Sequence, residues 1–397
     1  MSTAFAQWMS QWSELDPRQF WLHGKQPGEP VSFDEQSGMW NVYGYQEVLE
    51  VLADTTTFSS DTARLVPIEG EFSRGNLLKM DPPEHNKLRK LVGHAFTSKM
   101  ISGLEPAIVA LTNELLDQTA GTGRMEVVED LAYPLPVIVI ADLLGLPNND
   151  RALFKRWVGE VFERPEGFTR GEPTPESTQN AVDQMGELIA YLHEHATERR
   201  TKPRNDLLTK LVEAEVDGER LNDTEVANFG AVLLIAGHIT TTMLLGNTVL
   251  CMDTFPETRA AVREDRSRIP GMIEESLRYL SSFAAISRCT NQAGQLGGKT
   301  IEADQLVLLW LGAANRDPRR FDRPNDFDIT RDPNPHLAFG RGVHYCIGTQ
   351  LARMEGRVAM NILLDRYPGF RTDPDDVPRF QPSPYMTGVT RLSLLTD

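Results

Sequence analysis

The stretch from Val226 to Phe255 is the feature that most limits the fold, because it runs without a proline until Pro256. Asn222, with Glu225 three residues on, matches a capping box that starts a helix at this point. About thirty residues at ~1.5 Å each make a rod of roughly 45 Å, long enough to cross a whole domain. Gly230, Gly237 and Gly246 weaken it locally, by about 1 kcal/mol each relative to alanine.

Most of the remaining chain also reads as helix. From Ile101 the apolar residues Leu104, Ile108, Leu111 and Leu115 recur at steps of three and four, which predicts one amphipathic helix. Leu131 to Leu146 is apolar nearly all round and predicts a buried helix. Arg164 to Ser177 is rich in proline and glycine and reads as a loop. It separates a helix carrying Phe154, Trp157 and Phe162 from one carrying Met185, Leu188 and Leu192. Strand signals are short: Val31 to Tyr43, Leu306 to Trp310, and a candidate hairpin over Thr387 to Leu395. No repeat and no linker interrupts the 397 residues, so a single domain, residues 1–397, mainly α with small β-sheets, is expected.

The formal charge of −16 argues against a nucleic-acid or acidic-membrane partner. The first twenty residues lack the basic and apolar regions of a secretory signal, and no run of ~18 apolar residues predicts a membrane span. Three cysteines, Cys251, Cys289 and Cys346, are too few for a disulfide framework or a four-thiolate metal site. A cytoplasmic location follows as an expectation, with any functional cysteine acting alone.

The segment HLAFGRGVHYCIG, from His336 to Gly348, carries the strongest chemical signal. Gly340, Gly342 and Gly348 bracket Cys346, and glycine lets the backbone turn sharply and approach a flat ligand. A helix pattern resumes at Thr349, placing Cys346 just before a helix N-terminus that favours a thiolate. Phe339 is placed to shield the sulfur from water. The plainer reading is a structural cysteine in a glycine-rich turn.

This segment resembles the haem-binding loop of the cytochrome P450 family, with Phe339, Gly340, Gly342, His344, Cys346 and Gly348 at its defining positions. The resemblance implies the mainly α P450 fold, with haem b (iron protoporphyrin IX) clamped between the long helix and the cysteine-loop helix. Cys346 would be the iron ligand. Thiolate ligation favours O–O cleavage. Three further segments resemble the family in its own order. Glu275 and Arg278, with Arg331, match a structural Glu–Arg–Arg cluster. His85 and Arg89, in DPPEHNKLRKL, match haem-propionate partners, as do Arg288 and His344. Ala236, Gly237 and Thr240, in AGHITT, match the dioxygen groove, where Thr240 can bond back to the carbonyl of Ala236. The family pattern has an acid before that threonine. Here it is Ile239, while His238 is expected to point away, because one helical step turns a side chain by about 100°.

By the same resemblance the substrate pocket is lined by the loop between Phe58 and Leu78 and by Leu233 to Thr240, including Ile239. Phe283, Ala284, Ala285 and Ile286, with Pro384, Tyr385 and Met386, complete it. These residues suit a lipophilic small molecule. The expected activity is a haem-thiolate monooxygenase acting with O2 on a secondary metabolite such as a polyketide. Electrons would come from an external ferredoxin and its reductase, or a flavodoxin, and a monomer is expected. Lys87, Lys90, Arg341, Arg353 and Arg357 are candidates for a basic docking patch on the thiolate side. A peroxygenase, or a haem protein that only binds a ligand, stays open on the same fold.

Overall fold

The computed structural model describes residues 16–65, 76–154, 156–157 and 175–397. The helices are α1 (Tyr45–Ala53), α2 (Glu84–Ala95), α3 (Ser98–Ser102), α4 (Glu105–Asp117), α5 (Pro134–Leu144) and α6 (Pro175–Thr201). They continue with α7 (Leu207–Glu213), α8 (Asp223–Thr254), α9 (Pro256–Glu264), α10 (Ile269–Tyr279), α11 (Leu311–Ala314) and α12 (Thr349–Arg366).

The strands are short. The largest sheet joins β1 (Val31–Asp34), β2 (Met39–Val42), β3 (Phe58–Ser59), β7 (Ile286–Thr290) and β10 (Leu306–Leu309), in the order β1-β2-β10-β7-β3. A three-stranded sheet joins β4 (Arg124–Glu126), β11 (Phe370–Thr372) and β14 (Ser393–Thr396). Two-stranded pairs are formed by β5 (Glu215–Val216) with β6 (Glu219–Arg220), by β8 (Gly294–Leu296) with β9 (Lys299–Ile301), and by β12 (Arg379–Phe380) with β13 (Val389–Arg391).

Helix α8 is the axle of the molecule. Its capping box forms as expected: the Asn222 side chain accepts from the Glu225 N–H, and the Glu225 carboxylate accepts from the Asn222 N–H. Helices α5, α6, α10 and α12 pack around it. Between Val226 and Met252 every residue is buried except Ile235, Ala236, Gly237 and Thr240. A helix apolar all round is stable in water only when neighbours cover all its faces. The one opening in that cover is therefore the notable feature. It falls on the turn that carries the AGHITT motif.

Several sequence expectations are corrected. The Ile101–Leu115 helix is two helices, α3 and α4, because Pro106 in the first turn of α4 has no N–H to continue the preceding one. The buried helix begins at Pro134, after a π-helical turn over Val128–Ala132, and ends at Gly145, which adopts φ 74°. Pro175 to Ser177 belong to α6 rather than to the loop; residues 158–174, with Phe162, lie outside the described residues. The C-terminal hairpin is absent. Val389–Arg391 pairs with Arg379–Phe380, whereas Ser393–Thr396 pairs with the edges of β4 and β11. The chain runs straight through Leu392, whose carbonyl accepts from the Val127 N–H at 2.9 Å. Gly388 serves close packing instead of a turn, since a Cβ there would strike Met243 of α8.

The Glu275 cluster forms as expected. Arg278 donates to both Glu275 oxygens at 2.8 and 2.7 Å, and Arg331 stands 3.4 Å from the same carboxylate. Asn334 and the N–H of Asp328 add donors at 3.0 and 2.9 Å. This ties α10 to the segment leading into the cysteine loop.

Glu355 on α12 has the opposite environment. It is buried, and its Oε2 has no hydrogen-bond partner among the described residues. Burial pushes its pKa from 4.5 up to about 8. The folded state therefore holds a proton that the unfolded chain releases between those values, so stability falls as pH rises through that window. Glu355→Gln should leave stability near pH 4.5 little changed and raise it above pH 8, by of the order of 3 kcal/mol. Urea midpoints of parent and variant at pH 5 and pH 9 test this; an equal gap at both pH values refutes it.

Candidate active site

Cys346 follows a 3-10 turn, Gly342–His344, and precedes the N-terminus of α12. Its N–H donates to the carbonyl of Phe339 at 2.9 Å, closing the loop on itself. Gly340 and Gly342 adopt φ 67° and 71°, a region that side-chain-bearing residues enter at a cost. A Cβ on Gly342 would also press on the carbonyl of Leu52. Gly348 keeps an ordinary φ of −79°, and a Cβ there would lie 3.8 Å from the Cys346 sulfur. Cys346 is exposed, whereas Cys251 and Cys289 are buried. Protein packs densely around its sulfur. That packing raises the thiol pKa, against the pull of the Gly348 N–H, the Thr349 hydroxyl, Arg89 and Arg353. The Phe339 ring lies under the Arg353 guanidinium, with 4.9 Å to the ring centre.

The four predicted anion-binding residues converge. The rings of His85 and His344 are 4.2 Å apart, and the His344 Nε2 lies 2.9 Å from the Ser60 hydroxyl. Arg89 donates to the carbonyl of Tyr345. Arg288 is buried on β7, where its guanidinium donates to the carbonyl of Ser287 at 2.7 Å and forms no ion pair with a carboxylate among the described residues. Burial, with His85 and Arg288 beside it, lowers His344 to about 4. The Nε2 of His85 is buried and has no partner among the described residues. A buried guanidinium without a carboxylate and an orphaned imidazole nitrogen are both costly unless an anion completes them. Ser60 and Asp81 escaped the sequence reading. Asp81 accepts from the Ser59 hydroxyl and the Ser60 N–H, and so holds the strand that presents Ser60 to His344.

On α8 the Thr240 hydroxyl donates to the carbonyl of Ala236 at 2.7 Å, as the motif implied. Leu233, Ala236, Gly237 and Thr240 share a face by helical spacing. Gly237 is required by packing as well, because a Cβ there would lie 2.6 Å from the Ile140 side chain on α5. Ile239 is buried. His238 does point away: its Nε2 lies 3.1 Å from the carbonyl of Tyr133, and burial lowers its pKa to about 3. It remains neutral at physiological pH.

The predicted pocket residues from two distant segments meet. Phe283 and Met386 form a β-bridge, and the N–H groups of Ala284 and Ala285 donate to the Tyr385 carbonyl at 2.8 and 3.2 Å. Ile286 begins β7 beside them. Of the loop between Phe58 and Leu78, residues 66–75 lie outside the described residues.

The basic docking patch is corrected. Lys87 pairs with Glu219, Lys90 with Asp217 at 3.7 Å, Arg353 with Glu274 at 2.6 Å, and Arg357 with Glu105 at 2.8 Å. Acids from the β5–β6 hairpin, α10 and α4 neutralise it. Of the five, only Arg341 has no acidic partner among the described residues. Burial favours a raised pKa for Glu274, but donation from His336 and Arg353 outweighs it and holds the carboxyl at about 2.

The cytochrome P450 family model matches residues 8–394, and the chain belongs to that family. Cyclomarin C epoxidase CymV of Salinispora arenicola is 42% identical over 87% of this chain and 88% of its own. Erythromycin C-12 hydroxylase of Saccharopolyspora erythraea is 42% identical over 90% of this chain and 88% of its own. Among solved structures, the hydroxylase HmtN of himastatin biosynthesis is 50% identical with a TM-score of 0.89, covering 100% of both chains. The protein is a P450 monooxygenase, and the family implies a haem cofactor.

The residues present fit that group. They combine a thiol in a glycine-bounded loop, the less covered turn of α8, and a buried basic cluster in which the His85 Nε2 has no partner among the described residues. If Arg288 anchors an acidic edge of the haem, Arg288→Met should speed haem transfer to apomyoglobin about tenfold or more while the thiolate signature of the iron persists. An unchanged transfer rate would remove Arg288 from the anchor.

Proposed function

We propose that this enzyme inserts one oxygen atom from O2 into a lipophilic secondary metabolite, by hydroxylation or epoxidation, using haem b held by Cys346. The place of Cys346 in the glycine-bounded loop just before α12, with its N–H closing on the Phe339 carbonyl, is the observation that carries the assignment of the ligand. Relatives named as a cyclomarin epoxidase and an erythromycin hydroxylase support a bulky peptide or polyketide substrate. Residues 8–394 form the P450 domain, and we take its electrons to come from a ferredoxin with its reductase or from a flavodoxin. A monomer in the cytoplasm completes the reading.

Thiolate-ligated haem iron supplies the oxygen-activation chemistry when bound. His85, Arg89, Arg288 and His344 would hold its acidic edge, and Phe339 would shield the Cys346 sulfur from water. Phe283 to Ile286, with Tyr385 and Met386, exclude water and orient the substrate. Thr240 holds a proton at Oγ1, directed to the Ala236 carbonyl, and keeps its lone pairs for a second donor. Ile239 cannot supply that donor, and His238 is turned to Tyr133. Ordered water, or a hydroxyl or carboxylate on the substrate, therefore completes proton delivery through Thr240.

Cys346→Ser should abolish the red-shifted Soret band of the ferrous carbon monoxide complex, while Cys251→Ser and Cys289→Ser retain it. Loss of the band in either of the latter instead refutes the ligand assignment.

Proton supply is read from the ratio of product formed to reductant consumed. Thr240→Ala should lower it several-fold, and Ile239→Glu should raise it for analogues lacking the polar group. A ratio already near one for those analogues, and indifferent to Thr240→Ala, rules this route out.

A further inference from the structure

A buried chain of uncharged hydrogen bonds links the start of the protein, its C-terminal strap and the threonine turn. Gln19 is buried, and its carboxamide N–H groups serve the carbonyls of Ser383, Pro384 and Met386 at 2.9, 3.2 and 2.9 Å. Its oxygen accepts from the Thr387 hydroxyl at 2.8 Å. The Thr387 N–H donates to the carbonyl of Ser282 at 3.0 Å. Ser282 in turn donates from its hydroxyl to the backbone carbonyl of Thr240 at 2.9 Å. Asn247, two helical turns beyond Thr240, closes the far side by donating to the carbonyl of Thr387 at 2.9 Å.

The strap needs this help because it is irregular. Its one strand-like pairing is the isolated Phe283–Met386 bridge. Buried carbonyls outside a sheet must find other donors, and Gln19 supplies them from some 364 residues away in sequence. The same strap carries Tyr385 and Met386. Its height above the pocket is thus set by a side chain that does not line it.

We propose that Gln19 and Ser282 are positioning residues that decide which substrates fit. Gln19 fixes the strap from Ser383 to Thr387, and Ser282 locks that strap to the turn of α8 carrying Thr240. The proposal rests on reading Phe283–Ile286 and Tyr385–Met386 as the pocket wall. It involves no bond making or breaking.

The test uses the holoenzyme and two azole probes, imidazole as a small ligand and 4-phenylimidazole as a bulky one. Each dissociation constant is read from the shift of the haem spectrum, with thermal unfolding followed in parallel. Ser282→Ala should change the ratio of the two constants by about three- to tenfold, the range expected for one lost hydrogen bond, and Gln19→Leu, which removes several, by at least as much. Ser282→Thr, which retains the hydroxyl, should stay within about twofold of the parent. A purely structural role would lower the unfolding temperature and leave the ratio alone.

Met386→Ala separates the two layers of the argument. If it moves the ratio while Ser282→Ala does not, or if Ser282→Thr behaves like Ser282→Ala, the positioning role is refuted and the pocket reading survives. If Met386→Ala is itself without effect, the pocket reading fails and the proposal falls with it. Should Gln19→Leu not fold, Ser282→Ala decides, since it removes one hydroxyl only.

Discussion

Five hydrogen-bond or ion-pair contacts converge on the buried carboxylate of Glu275, two from Arg278 and one each from Arg331, Asn334 and the Asp328 N–H. A carboxylate away from water is tolerated only when its lone pairs are filled in this way, and removing one partner of such a cluster typically costs about 3–5 kcal/mol. The other donors of Arg278 reach the carbonyls of Asn315, Pro324 and Asp326. Asn315 then accepts from the Leu337 N–H at the entrance to the cysteine loop and donates to Ser281. Through one acid, α10 holds both the irregular segment before Cys346 and, by way of Asn315, the Ser281 turn that leads into β7.

The anion-binding cluster and the exposed thiolate side follow opposite electrostatic rules. Around His85, Arg89, Arg288 and His344 positive and imidazole groups are crowded together, with Asp81 the acid that acts on His85, Arg288 and His344. On the helices flanking Cys346, Lys87, Lys90, Arg353 and Arg357 each stand beside a carboxylate. Exposed pairs of that kind add little stability and are screened by salt. They leave Arg341 as the cation of that group with its field unspent.

The long helix, its capping box, the glycine-bounded cysteine and the Glu275–Arg278 pair were all legible in the chain. Each depends on residues within one or two helical turns of one another, where spacing alone dictates geometry. The division of the Ile101–Leu115 helix turns on Pro106, a local signal that apolar periodicity outweighed. The false hairpin over Thr387 to Leu395 had suitable strand residues on both sides. Its first half instead pairs with Arg379–Phe380, upstream of Thr387, and its second with Phe370–Thr372 and with Arg124–Glu126 in a distant part of the chain, a choice of partners that strand propensity over Thr387 to Leu395 does not encode.

By itself the sequence determined the class of chemistry through the resemblance of Phe339 to Gly348 to the P450 haem-binding loop, a motif short enough to read because its glycines set the backbone locally. It also determined that the residue before Thr240 carries no proton. Tertiary structure alone decided which face of α8 stays less covered, that His238 meets the carbonyl of Tyr133, which surface cations are already paired, and that Gln19 bonds the segment from Ser383 to Thr387. Those outcomes depend on which distant segment fills the space beside each group. Burial and hydrogen-bond satisfaction are properties of the packed whole, and they do not exist along an extended chain.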